Sequence, residues 1–432
     1  MARKFHVGKL LTAGIVALGA VSATAAPSVA LDSSDASPGS STSVEAHLEA
    51  ATKNAFGDQH LIDTYRKYSC FEVEDPAIRN EYRAGSGQRV PLTKLLDGLW
   101  YIGDGYVGQY ILETATGGFA LIDTLNNSSE FETYTLPALE SLGLSDTKPL
   151  EGVLISHGHF DHDGGAPALR AHFGPDLPIY LGSGDATGKT YGPTLIDTAT
   201  PDIKEVTIGG TRMYAQPTPG HTTGNLVPFV PVEHDGESEL LLVNGRSAVP
   251  QTIDAALQYL AGTELQYNAA RTLGATGTIH THPLSDGSRR QIDSVNATGA
   301  GDPNFILGKE RTLQAAAIWR ECAAARITEL DPSVDIPVWR ATTVALPGRK
   351  PLARQLTATL DSPWGPVVGQ VVTFRAGTEV ACAAVTDKSG VAECKSDKPI
   401  RPHQEVTATF EGNEGQDYVN LPTTSSRVAV QR

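Results

Sequence analysis

Basic residues are the scarce charge in this chain: 34 Lys and Arg stand against 49 Asp and Glu over 432 residues, a formal net charge of −15. That balance argues against nucleic acid and anionic membranes as partners, because both would repel it. Long apolar runs are also lacking. The best candidate, "LLTAGIVALGAVSA" from Leu10 to Ala23, is too short to span a bilayer comfortably, and no later stretch is long enough. With Arg3, Lys4 and Lys9 before it and small residues around Ala23 to Ala30 after it, it reads as a secretory signal over residues 1–30. That predicts a secreted, extracellular protein with no membrane span. Cysteine is rare, at four. The first is Cys70, which leaves no cysteine to carry a lipid at the cleavage point. An even number in a secreted chain fits two disulfides better than thiol chemistry. "LPTTS" near the end lacks the apolar tail of a wall-sorting signal, and no internal repeat is present.

What is there suffices for real cores: 40% of residues are hydrophobic, and the length suggests two domains plus removable ends. Residues 31–45, "LDSSDASPGSSTSVE", predict a disordered leader. Helical spacing runs from about Val44 to Tyr68. "GLWYIG", "QYILET" and "GFALIDT" predict an antiparallel meander. Strands and helices then alternate: strands at "EGVLIS", "PIYLGS", "SELLLVNG" and "TGTIH", and helices at "APALRAHF", residues 251–273 and "KERTLQAAAIWRECAAARI". Meander followed by strand–helix units fits two sheets sandwiched between helices. After about Pro347 the helical period disappears, and the remaining segment is the size of a small β-sandwich. The expected division is therefore 46–346 for an α/β unit, 347–351 ("PGRKP") for a linker, and 352–432 for an all-β unit. If "TDKSG" (Thr386 to Gly390) closes a hairpin, Val385 pairs with Val391 and Cys382 falls opposite Cys394, close enough for a bridge.

Half of the 12 histidines fall in three short stretches: "ISHGHFDHDGG", "TPGHTTGN" and "IHTHPLSDG". His157 and His159, two apart at the carboxyl end of a strand, can converge on one ion from an extended segment. Asp161 and His162 can face a second. Imidazole and carboxylate suit Zn²⁺, and catalytic sites use about three protein ligands with a position left for solvent. Each pair is one ligand short, and His221 and His282 supply the balance. The bland alternative is a scatter of unrelated surface histidines. Five histidines and an aspartate, placed after strands in three loops, disfavour it.

"HGHFDH" with the downstream His221 and His282 resembles the H-x-H-x-D-H signature and later ligand loops of the metallo-β-lactamase superfamily, over about residues 90 to 330. The resemblance implies an αββα sandwich with a di-zinc site at the sheet edge: His157, His159 and His221 on one zinc, and Asp161, His162 and His282 on the other. "THPLSDG" and the helix after it look most like the secreted branch near subclass B3, which lacks a cysteine ligand. One departure stands out. Where many hydrolases of the superfamily place a metal-bridging aspartate, this chain has Asn244, Gly245 and Arg246. That disfavours thioesterase and lactonase readings. The serines that help B3 enzymes bind a β-lactam carboxylate are not cleanly matched either, and Arg246 or Ser247 would stand in for them.

Several neighbours need weighing. His280 competes with His282, but the proline and Asp286 after His282 fit the family pattern better. Asp123 is read either as positioning a ligand or as a strand-end cap. Asp163 is a loop carboxylate. Tyr106 lies either over the site or in a hairpin. Cys70 and Cys322 remain to tie the N-terminal segment to the last helix of the α/β unit. The implied function is a secreted zinc hydrolase acting on a small-molecule amide, lactam or ester. Its nucleophile would be a hydroxide shared by two zincs, with Asp161 as the catalytic carboxylate. The C-terminal unit resembles bacterial immunoglobulin-like repeats, for which "VTDKSGVAEC" is the most telling segment, and would contact a polymer or cell surface or simply space the enzyme. Two alternatives stay open: a lactonase or esterase of secreted metabolites, and a non-catalytic zinc-containing surface-binding protein.

Overall fold

The computed structural model describes residues 42–75, 77–298, 305–347, 354–401 and 404–429. The signal at 1–30, most of the leader and most of the 347–351 linker lie outside them. Four antiparallel strands open the first sheet: β1 (Arg89–Leu96), β2 (Leu99–Asp104), β3 (Gly108–Glu113) and β4 (Phe119–Ile122). The parallel strands β5 (Leu150–Leu154), β6 (Ile179–Gly182) and β7 (Thr194–Ile196) complete it. The second sheet contains β8 (Lys204–Ile208), β9 (Thr211–Pro217), β10 (Leu226–His234), β11 (Glu237–Asn244) and β12 (Gly277–His280), in the order β12-β11-β10-β9-β8.

Alternation along the strands assigns each face to a layer. Tyr101, Tyr110, Leu112, Ala120 and Ile122 meet Met213, Ala215, Val230, Leu241 and Ile279 between the sheets. The opposite face of β2–β4, with Ile102, Ile111, Phe119 and Leu121, packs on Leu139, Ala166 and Leu169 of outer helices. Beyond the second sheet, Val227, Phe229 and Leu242 lie under Ala269, Ala315 and Ile318 of the helices Ile253–Leu273 and Lys309–Leu330. The order helix, sheet, sheet, helix is therefore the αββα sandwich expected from the pattern. No helix among the described residues is long and apolar enough to cross a membrane.

Three expectations need correction. The helix anticipated from Val44 to Tyr68 breaks after Lys53, because Phe56 and Gly57 take φ of 51° and 77°, in the left-handed region. Asp58 then caps a new turn by accepting from Leu61 N–H. Strands β8–β10 and the helix Ser288–Thr298 were not anticipated. The third correction concerns the C-terminal hairpin. Its loop closes at Asp387–Val391, but the two strands then join different sheets. Cys382 pairs with Phe374 and Cys394 with Leu356.

The C-terminal region is all-β, as expected. Strands 343–345, 355–361 and 391–395 form one sheet, and 379–385, 371–376, 405–410 and 423–424, with 428–429 also paired to 405–410, form the other. Leu356, Leu360, Phe374 and Phe410 share the core between them. The Cys382–Cys394 disulfide joins the two sheets, and Cys70–Cys322 ties the N-terminal segment to the helix Lys309–Leu330. The strand Thr343–Ala345, ahead of the proposed linker, pairs with Gln355–Asp361. Further back, Val338–Arg340 runs parallel to Tyr418–Asn420.

Candidate metal centre

Strand β5 leads through Ile155 and Ser156 into the first histidine loop. Ser156 donates its N–H to Asp123 Oδ1 at 2.7 Å and its hydroxyl to Oδ2 at 2.9 Å, and His162 Nδ1 donates to the same Oδ2 at 2.7 Å. With its proton given to Asp123, the Ser156 hydroxyl accepts from His157 Nδ1 at 3.1 Å. One buried carboxylate thus orients two imidazoles, which resolves Asp123 as the positioning group. The glycines of "HDGG" are steric: a Cβ on Gly164 or Gly165 would stand 2.0 Å from Asn126 O or 2.2 Å from Thr124 O.

Two ligand groups result. Donor atoms of His157, His159 and His221 lie within 4.8 Å of one another, and so do those of Asp161, His162 and His282. The second group is the more telling. His162 Nδ1–H is committed to Asp123, and His282 Nδ1–H to Tyr106 O at 2.9 Å. Both partners only accept, so in the neutral rings that bind metal each Nε2 carries a lone pair. These two nitrogens are 3.0 Å apart, and Asp161 Oδ2 is 3.7 Å from one and 3.6 Å from the other. Two lone pairs and a carboxylate oxygen converge, an arrangement that repels itself without a cation between them. The edge of a tetrahedral Zn²⁺ shell is about 3.4 Å at ordinary ligand distances, so the donor set fits a metal ion. His157 Nε2 faces His159 Nδ1 at 3.1 Å in the first group.

Burial, with help from neighbouring imidazoles, pushes His157 and His221 well below the usual histidine range. The same causes lower His159, against the pull of Asp161, and bring His282 down to about 4. Burial is the largest influence on His162 and opposes its charge, but the carboxylates of Asp123, Asp161 and Asp163 together outweigh it and raise the group. Neutral imidazoles are the ligand form, and a carboxylate behind one increases its basicity.

The other sequence candidates separate clearly. His280 is buried with both ring nitrogens occupied: Nδ1 accepts from His282 N–H at 2.9 Å, and Nε2 donates to Arg246 O at 3.2 Å. Asp163 bonds Lys189 and Tyr191. Tyr106 stands at the second group, its ring edge-on to His282 with centroids 4.8 Å apart. Arg246 is turned away from a substrate role. Its guanidinium is 2% exposed, donates to Tyr259 O and Gln266 Oε1, and lies over the Tyr259 ring. With half-buried Ser247 it lines a small, partly open pocket of about 30 Å³. Asn244 Oδ1 accepts from Arg246 N–H, so no carboxylate replaces the missing bridging aspartate there. Asp185 was missed by sequence reasoning. It joins the first histidine loop to the His221 loop, and nothing in "GSGD" distinguishes it from a turn residue.

The family model of the metallo-beta-lactamase superfamily matches residues 102–235. Hydroxyacylglutathione hydrolases of Yersinia pestis and Yersinia pseudotuberculosis are 33% identical over 128 residues, 29% of this chain. The chain spans about half the length of these curated relatives, 48%. Among solved structures, a subclass B3 metallo-β-lactamase of Bradyrhizobium japonicum is similar at 20% identity and a TM-score of 0.42, covering 55% of this chain and 93% of that one. A metallo-β-lactamase from Elizabethkingia meningoseptica is similar at 17% and 0.44, covering 56% and 94%. Residues 102–235 thus match the metallo-beta-lactamase superfamily, and both ligand groups stand on the αββα sandwich that includes this segment.

Proposed function

We propose that the protein is a secreted, zinc-dependent hydrolase that attacks the carbonyl of a small-molecule amide, lactam or ester. The observation that carries the reading is the convergence of the Nε2 lone pairs of His162 and His282 on Asp161, beside a second group of three imidazoles. Two Zn²⁺ ions held there, by His157, His159 and His221 and by Asp161, His162 and His282, would supply Lewis acidity and bring the pKa of water toward ~7. The chain's own groups do the rest. Asp123 holds His157, through Ser156, and His162 in their ligand tautomers, and Tyr106 O does the same for His282. Asp161, 6% exposed, orients the attacking water and takes up its proton at Oδ1, the carboxylate oxygen not used in the ligand group.

An amide at Asn244, where a bridging carboxylate would stand, supports a B3-like site over a lactonase or esterase. Hydrolysis of a hydroxyacylglutathione is the second reading, favoured by the identity to the Yersinia relatives and opposed by Asn244. The converging donors and buried Asp161 favour catalysis over a purely structural zinc role, since structural sites are usually closed. Two disulfides support an oxidising, extracellular location. We assign the C-terminal β-unit contact with a polymer or cell surface. The test is a hydrolysis screen of the zinc-loaded protein across β-lactams, lactones, esters and thioesters, with a chelated control. Chelator-sensitive turnover of at least one class is expected. Turnover that ignores the chelator, or none in any class, contradicts the reading.

A further inference from the structure

We infer that Asp185 is a positioning residue dedicated to one of the two ion sites, the three-histidine group; the inference rests on the metal reading above. Asp185 ends the short turn Ser183–Asp185 after β6 and is not a member of either ligand group. Its carboxylate accepts three hydrogen bonds: Oδ2 from Gly158 N–H at 2.7 Å and Thr222 Oγ1–H at 2.7 Å, and Oδ1 from Gly224 N–H at 2.8 Å. Gly158 lies between His157 and His159, and Thr222 follows His221. One side chain therefore fixes the backbone beside all three ligands of that group, on two loops more than sixty residues apart in sequence.

The approach is close enough to require glycine on both sides. A Cβ on Gly182 would stand 1.9 Å from Gly224 O, one on Gly224 2.5 Å from Asp185 N, and one on Gly158 2.8 Å from Asp185 Cβ. A side chain at 185 too short to reach would leave backbone N–H groups of two ligand loops without their acceptor, and the loops would lose their common anchor. The second group is held differently. His162 depends on Asp123 and His282 on Tyr106 O, and none of the bonds recorded for Asp185 reaches Asp161, His162 or His282. Asp123 therefore reaches both groups, through Ser156 to His157 and directly to His162, whereas Asp185 acts on the loops of the three-histidine group alone.

Single-site proteins make this measurable without any substrate. In a His282→Ala background only the three-histidine group is intact, and in a His159→Ala background only the other. Zinc affinity, measured by competition with a chromophoric chelator, is compared with and without Asp185→Ala in each. A loss of about 10- to 100-fold is expected in the first background, the usual cost of removing a group that orients ligands. A loss under about 3-fold is expected in the second. Thr222→Val, which removes one of the three bonds and leaves the carboxylate, should show the same preference with a smaller loss, and it decides the matter if Asp185→Ala does not fold. Equal losses in both backgrounds, or none in the first, overturn the inference while leaving the metal centre standing. Failure of both single-site parents to bind zinc overturns the metal reading, and the inference with it.

Discussion

At the scale of single residues, the site is governed by who accepts the protons on the far side of each imidazole. Asp123 and Tyr106 O turn His162 and His282 so that their lone pairs face Asp161. Asp161→Asn keeps the shape and removes the charge. Activity should fall at least ~100-fold, while the melting temperature shifts only modestly; surviving activity in a steady-state assay would place the catalytic carboxylate elsewhere. Acid should act on the metal-stripped protein in a defined direction. Burial, then the charge of His162, brings His282 from 6.5 down to about 4, so the unfolded chain binds this proton more readily than the folded one. Stability from this group is complete above about 6.5, declines as pH falls toward about 4, and is lost below that. His157, His221 and His280 shift the same way, while His162, raised by Asp123, opposes them. Urea midpoints of metal-free protein should drop between pH 7 and pH 4.5, and a flat profile would contradict the burial argument. The two groups of candidate ligands were legible because each member is a metal-binding residue type in a loop that follows a strand. Asp185 was not, because a carboxylate that accepts only N–H and O–H groups from other loops leaves no local pattern. Arg246 was misjudged for a related reason: its partners Tyr259 and Gln266 sit on a helix that the sequence does not dock against it.

At the scale of elements, short strands bounded by turns were read correctly and pairings across long distances were not. β2, β3 and β4 were legible as short apolar runs between turns, "GLWYIG", "QYILET" and "GFALIDT", although burial on both faces erases their alternation. The hairpin at 382–394 has a readable turn, but whether its strands stay paired depends on Phe374 and Leu356 in other strands. The contact between Val338–Arg340 and Tyr418–Asn420 is equally hidden. Leu421 joins Tyr267, Ala317 and Trp339 in one cluster, and the Arg340 guanidinium lies 4.0 Å over the Tyr418 ring. A chain ended after Gly348 loses that cover while keeping all six candidate ligands. Burying one such side chain is worth about 1.5–3 kcal/mol, and a domain of this size shifts by about 2–4 °C per kcal/mol. The truncated protein should therefore bind its metal but melt roughly 5 °C lower by calorimetry. An unchanged melting temperature would show that the strand contact contributes nothing.

At the scale of the whole molecule, the two sheets bring three distant loops to one edge of the sandwich. β5 delivers His157 to His162, β9 and β10 flank His221, and β12 delivers His282. The core that fixes these strands, from Tyr101 and Tyr110 to Met213 and Ile279, is therefore what sets the spacing of the two ligand groups. The account stands or falls on whether those groups hold two ions. Elemental analysis of the zinc-saturated, desalted protein should give about two zinc per chain, and one or fewer in a His157→Ala, His159→Ala double variant. A wild-type value of one or none under saturating zinc would contradict it.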